Sequence, residues 1–432
     1  MYRSFLCAGS LATALFGFRA PTQAQSHVHQ VVVLNEGRYD YTAGQQIVPV
    51  SIGSYDPELG SYTETAIIPH ARFGNDVKVE NELVYVSADS FLLKYDANTF
   101  DLLDQEIIHG IRRIALWNDR ILLTRGEYGV TFDHFVEVRD KNTFDLIYTL
   151  GSADGVEYTC EAVEVLNDKA YISMNNGFDF PNYTNKVVVV DLEGEAYEST
   201  IDLGPDGYNP EHIMVSDGNV YVFNNKDYTG SSISRIDPVG SSLMVTNNVA
   251  YNSGCGTSTA AAGRIYYMEY SVAQLARYDL TTEQVYDTLD NGIEAYGVLG
   301  DPINNVMYVS STDFTSTGTL YVTENDGSIL SSVGIGVAAG KMALDLRTST
   351  GIGRIGEEVL RIFPNPAVDD LTVSFTAPGR AQKVIVMDAS GRVVLRHLWA
   401  SAGVQRMSTA DLAPGIYTLT VEGVGTTRFS KR

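Results

Sequence analysis

The sequence predicts an all-β protein in which a unit of four short strands recurs, and three observations carry that expectation. A tyrosine strand repeats in alternating apolar form: Leu83-Val84-Tyr85-Val86-Ser87, Ala170-Tyr171-Ile172-Ser173, Val220-Tyr221-Val222-Phe223, Ile265-Tyr266-Tyr267-Met268 and Val306-Met307-Tyr308-Val309-Ser310. A second strand ends on Asp56, Asp96, Asp140, Asp191, Asp237 or Asp279, at intervals of 40, 44, 51, 46 and 42 residues. The alternation has period two, and helical periodicity is nearly absent. Four strands in a unit of about 45 residues form the pattern of a β-propeller blade.

Counting both strand types predicts a seven-bladed β-propeller over residues 25–350. Its first unit opens directly with Val31-Val32-Val33-Leu34, the equivalent of the second strand elsewhere. The missing innermost strand is expected from Lys341-Met342-Ala343-Leu344, at the other end of the array. Such closure pairs the two ends of the ring and hides edges that would otherwise template aggregation. A linker, 351–361, then leads to a small Ig-like β-sandwich over 362–432. Pro364 and Pro366 interrupt the preceding structure, Leu371, Val373, Phe375 and Val384, Val386 alternate as half-buried strands, and Gly391 and Gly415 read as turn residues. From Arg361 onward there are 9 basic and 5 acidic residues, reversing the acidic balance upstream.

Residues 1–24 read as a signal peptide. Arg3 supplies the basic start, Ser4 to Phe18 an apolar stretch, and Thr22-Gln23-Ala24 a small-residue cleavage site. No later segment is apolar for long enough to span as a helix. Cleavage removes Cys7 and leaves Cys160 and Cys255, expected two blades apart and therefore as unpaired thiols, since a disulfide tolerates only ~7 Å between Cα atoms. The formal net charge of −23 argues against nucleic acid and anionic membrane surfaces, both of which need a basic footprint.

The ring, with Leu34-Asn35-Glu36-Gly37 opening it, resembles the seven-bladed YncE-like surface propellers of Bacteroidetes. That resemblance covers roughly residues 28–350 and implies a small-molecule ligand, with an outer-membrane transporter as a candidate partner. The C-terminal segment carries Ile362-Phe363-Pro364-Asn365-Pro366, then Val368-Asp369-Asp370-Leu371-Thr372-Val373, Val386-Met387-Asp388, Ser390-Gly391-Arg392-Val393-Val394, Leu412-Ala413-Pro414-Gly415-Ile416-Tyr417-Thr418-Leu419 and a basic end, Arg428 to Arg432. This series resembles the type A sorting domain of type IX secretion. It implies recognition by the outer-membrane translocon, followed by release or attachment at the cell surface.

Two sets of residues are candidates for binding. The loops between second and third strands carry Tyr39, Tyr41, Tyr128, Phe132, Phe178, Phe180, Tyr183, Asn224, Tyr228 and Phe314, a palette of rigid aromatic area and adaptable hydrogen bonding that suits recognition. The same residues also serve turns and packing between blades. Aligned innermost strands place Asn75, Arg113, Glu161, Glu211, Thr257, Tyr296 and Lys341 at equivalent positions around a channel mouth, with His212 beside Glu211. That ring serves a ligand, internal ion pairs or mere solvation of the channel. No phosphate loop, nucleophile elbow or His-Glu-x-x-His pattern occurs, so no catalytic residue is nominated and no cofactor is required. Calcium at Asp179 or Asp313, and a lactonase-like metal held by Asn75, Glu161 and Glu211, stand as alternatives, as does a structural or adhesive surface role.

Overall fold

A computed structural model describes residues 25–226, 229–249, 258–349, 360–375, 382–399, 403–421 and 424–432. The expected signal peptide, Cys255, Thr257, Tyr228 and most of the expected linker lie outside these residues. Chain contacts separate a compact unit, Ser26–Arg347, from a second that contains Thr348–Arg432.

Among the described residues the first unit has seven four-stranded sheets, six of them up-and-down meanders of consecutive strands and the first completed by a strand from the far end of the array. The second sheet shows the plan: Gly74–Glu80, Leu83–Ala88, Phe91–Asp96 and Leu102–Ile107, in that order from the inside outward. The innermost strands of the following sheets are Ile111–Trp117, Val163–Leu166, Pro210–Ser216, Ser258–Ala261 and Gly297–Asp301. In the first sheet the innermost strand is Ala339–Ser349, bonded to Gln25–Asn35 and followed by Val50–Asp56 and Ser61–Ile68.

Hydrophobic burial closes these sheets into a ring. Val32 and Ile52 of the first sheet pack with Val84 and Val86 of the second, and Tyr85 with Ile121 of the third. Leu122 meets Ile172 of the fourth, Val187 meets Val222 of the fifth, and Phe223 meets Tyr267 of the sixth. Tyr266 joins Met307 of the seventh, and Tyr308 returns to Val31 and Tyr55 of the first. Each sheet thus buries both faces, which is why its middle strands read as apolar and alternate only in side-chain size. The architecture is a β-propeller.

The recurring sequence marks are structural parts of this ring. Tyr85, Tyr171, Tyr266, Tyr267 and Tyr308 are essentially inaccessible to solvent and fill the gaps between sheets. The repeated aspartates cap the turn between third and fourth strands. Asp96 accepts from the backbone N–H groups of Asn98 (2.7 Å) and Thr99 (3.0 Å), and Asp140 from those of Asn142 (2.7 Å) and Thr143 (3.0 Å). Such side-chain-to-backbone bonds satisfy turn amides that no ladder reaches. Cys160 is a buried free thiol in the core shared by the third and fourth sheets.

The C-terminal unit has two sheets. Leu360–Phe363, Asp370–Phe375 and Gly403–Ser408 form one; Val393–Trp399, Gln382–Asp388, Gly415–Val421 and Gly425–Lys431 form the other. The alternating Leu371, Val373, Phe375, Val384 and Val386 all point into its core, beside Trp399 and Phe429. Gly391 occupies a turn with φ of 84°. Gly415, expected in a turn, instead opens a strand, and the basic end belongs to the strand beside it.

Replacing Tyr171 separates the weight of its ring from that of its hydroxyl, which donates to the Pro238 carbonyl at 3.4 Å. Tyr171→Ala should cost about 3–5 kcal/mol in denaturant unfolding, and Tyr171→Phe only about 1 kcal/mol. Equal costs for the two variants would contradict packing as the ring's main support.

Candidate functional site

The innermost strands converge on a cavity of about 260 Å³ at one end of the channel. Asn75, Arg113, Glu161, Glu211, His212, Tyr296 and Lys341 all line it. Glu36, Arg112 and Phe178 line it as well, although the sequence did not single them out for the mouth. Local backbone irregularity explains the extra arginine. The ladder slips between Ile111 and Ile114 in the third sheet, and again between Gly74 and Asp76 and between Pro210 and His212. A bulge frees two successive side chains from strict alternation. Arg112 and Arg113 therefore both reach inward, as do Asn75 with Asp76 and Glu211 with His212.

Glu161 is the hub of this mouth. Its carboxylate accepts from Arg112 Nε at 2.8 Å and Arg112 Nη2 at 3.0 Å, a bidentate pair, and from Arg113 Nη2 at 3.0 Å. Burial alone would raise its pKa, but the two guanidinium charges win and hold it down to about 2. Arg113 also donates to the Asn75 carbonyl, while the Asn75 amide donates to the Ile111 carbonyl at 2.7 Å. Glu36 accepts from the Tyr296 hydroxyl at 2.6 Å, and burial pushes its pKa up. Gly340 makes that contact possible: a Cβ there would lie 2.4 Å from the Glu36 carboxylate and 2.8 Å from the Tyr296 ring. Glu211 accepts from the Asn225 amide at 3.0 Å.

A second cavity, of about 330 Å³, continues along the channel and shares Arg113, His212 and Lys341 with the first. Lys78 pairs with Glu164 there at 2.9 Å. Burial, then the charges of Lys341 and Arg113, push the His212 pKa well below its ordinary value, so its ring is neutral at pH 7, with Nδ1 2.8 Å from the Ser258 hydroxyl. A histidine so depressed is a poor proton donor at neutral pH.

The loop aromatics divide into two groups. Tyr41 (68% exposed), Tyr128 (83% exposed) and Phe178 line a groove of about 320 Å³, together with Phe73 and Arg112. Phe73, Arg112 and Phe178 also line the mouth, so the groove and the mouth share a wall. The Arg112 guanidinium lies 5.1 Å from the Phe178 ring centre, within cation–π range. Tyr41 sits in the turn of a short hairpin, Arg38–Asp40 with Gln45–Val48, and packs edge-on against Tyr39 at 4.9 Å. At the groove wall Arg72 spans Asp89 and Glu127, the latter at 2.8 Å.

The remaining aromatics sit elsewhere. Phe132 is covered by Arg125 at 4.4 Å, Phe314 packs edge-on against Tyr296 at 4.8 Å, and Phe180 is 69% exposed. Tyr183 is only 7% exposed, wedged between Phe180 and Tyr208. Asn224 is fully buried and donates to the hydroxyls of Ser232 (3.0 Å) and Ser234 (2.9 Å). Neither has surface to offer a ligand: an apolar ring packs and an interior amide satisfies its neighbours, whatever loop they come from.

The cation alternatives meet occupied carboxylates. Asp313 accepts from the backbone N–H groups of Thr315 (2.8 Å) and Ser316 (2.7 Å), which hold it well below the usual carboxylate range. Asp179 takes the Asn182 amide at 3.3 Å. Glu161, proposed for a channel metal, has both oxygens on arginines.

Residues 361–432 match the family described as the secretion system C-terminal sorting domain. The chain is accordingly exported by type IX secretion, to the cell surface or beyond it. No curated protein matches the sequence. Among solved structures, the chain is similar to the extracellular domain of a one component system from B. thetaiotaomicron, with a TM-score of 0.56 and 10% identity over 93% of this chain and 57% of that one. A hybrid two component system's extracellular domain from the same organism gives 0.56 and 10%, over 96% of this chain and 60% of that one. The chain thus spans less than two thirds of those proteins, and at such identity the likeness concerns the fold alone.

Glu161→Gln tests the hub. It leaves two arginines without their counter-charge and should destabilise the propeller by about 3 kcal/mol at neutral pH. Because the folded pKa is depressed, the carboxylate's contribution is complete above the ordinary carboxylate range and is lost as pH falls toward about 2. Melting curves of parent and variant should therefore converge with acidification. A constant gap across that range would contradict this assignment.

Proposed function

We propose that the chain is a seven-bladed, YncE-like propeller that captures a flat small molecule outside the cell, at the channel mouth and its adjoining groove. The observation that carries the reading is the pairing of exposed rings with a polar pocket. Tyr41 and Tyr128 keep most of their surface in water although each could have been a small turn residue, and Phe178 connects them to the charged mouth. Binding sites commonly join apolar walls to a few polar groups that orient the guest. Export supports the reading, since a captured ligand would come from the medium, and an outer-membrane transporter would be a natural recipient. A channel-metal hydrolase is less well supported, because Glu161 would have to abandon two arginines to coordinate a cation.

Phenylnaphthylamine, a flat neutral dye that brightens in apolar surroundings, provides the probe. It should bind the parent protein, and Tyr128→Ala or Phe178→Ala should each weaken it, by about 2 kcal/mol for the better-buried anchor. Tyr128→Ala should leave the melting temperature nearly unchanged, because the ring contributes little buried area. Dye fluorescence indifferent to both substitutions would contradict the groove as a binding surface.

A further inference from the structure

Among the described residues, the cations of the mouth have carboxylate partners with one exception. Arg112 and Arg113 are taken by Glu161, Arg72 by Asp89 and Glu127, and Lys78 by Glu164. On the acidic side, Glu36 has the Tyr296 hydroxyl and Glu211 the Asn225 amide. Lys341 lines both cavities of the channel, yet among the described residues no carboxylate lies within ion-pair distance of its ammonium. We propose that Lys341 is the docking point for an anionic group, and that the guest of this site is a flat molecule with a carboxylate, sulfonate or phosphate at one end. This rests on the groove and mouth being a binding site.

Three further facts support that chemistry. The Lys341 ammonium is surrounded by Asp76, Glu161 and Glu36 on one side of the balance and Arg113 on the other, with Glu211 and the neutral His212 on the innermost strand of the fifth sheet. Burial, then repulsion from Arg113, brings its pKa down to about 8, so at pH 7 it is charged but poorly compensated. Burial, then the charges of Lys341 and Arg113, depress His212 in turn. Among the described residues the Lys341 ammonium thus sits where the channel opens without a carboxylate in ion-pair distance, and an incoming anion would supply that partner. Phe73 and Phe178 lie on the wall between that spot and the exposed tyrosines, so one rigid guest can reach both.

Anilinonaphthalene sulfonate and phenylnaphthylamine differ by the sulfonate alone, and their binding to the intact protein tests the proposal. The parent should prefer the sulfonate by about tenfold or more, as a charge-assisted hydrogen bond would give. Lys341→Met should abolish that preference without weakening the neutral dye, and Lys341→Arg should retain it. In the parent the preference should fade as pH rises through about 8, where the amine loses its proton. An unchanged preference in Lys341→Met, or none in the parent, overturns the anion site while leaving the groove intact if Tyr128→Ala still weakens the neutral dye. Loss of preference in Lys341→Met with indifference to Tyr128→Ala overturns the groove and keeps the anion site. Binding of neither dye overturns both.

Discussion

The pairing of Ala339–Ser349 with Gln25–Asn35 is the constraint on which the rest of this molecule depends. It joins strands more than three hundred residues apart and completes the first sheet. Until it forms, Gln25–Asn35 would present an apolar edge, and the seventh sheet would expose Tyr308 and Leu320, which now pack against Val31 and Tyr55. Closure also carries chemistry. The same strand brings Gly340 and Lys341 to the mouth, beside Glu36 from the opposite end of the ring. Ring and site are therefore completed by one event.

The channel itself illustrates how a propeller manages its interior. Apolar residues are spent between sheets, and the innermost strands are left with polar side chains facing a narrow space. Isolated charges there would be costly, so the ring matches them: one carboxylate to two arginines, a lysine to a glutamate, a glutamate to a tyrosine. Against that background, a lysine with no ion-pair partner among the described residues and exposed tyrosines at the rim acquire meaning.

Much of the fold was legible because the repeat marks are physically obligatory. The tyrosines recur because each gap between sheets needs a large ring, and the aspartates because each third-to-fourth turn needs a cap. The channel residues were legible because equivalent strands put equivalent positions at the mouth. What stayed hidden depends on geometry that alternation does not encode. Bulges at the start of three innermost strands brought in Arg112 and Asp76 alongside their neighbours. The hairpin that carries Tyr41 in its turn lacks a strong apolar alternation. Tyr183 and Asn224 read as loop groups in the sequence, yet Tyr183 is covered by Phe180 and Tyr208, and Asn224 ends a strand and turns its amide to the serines of the next one.

The most direct test of closure compares two chains that both begin at Gln25, one ending at Ser349 and the other at Ala338, by thermal unfolding. The account predicts one sharp, cooperative transition for the longer chain and its loss for the shorter, because only the longer one can complete the first sheet. Equally sharp transitions at the same temperature would contradict the claim that the ring depends on its last strand.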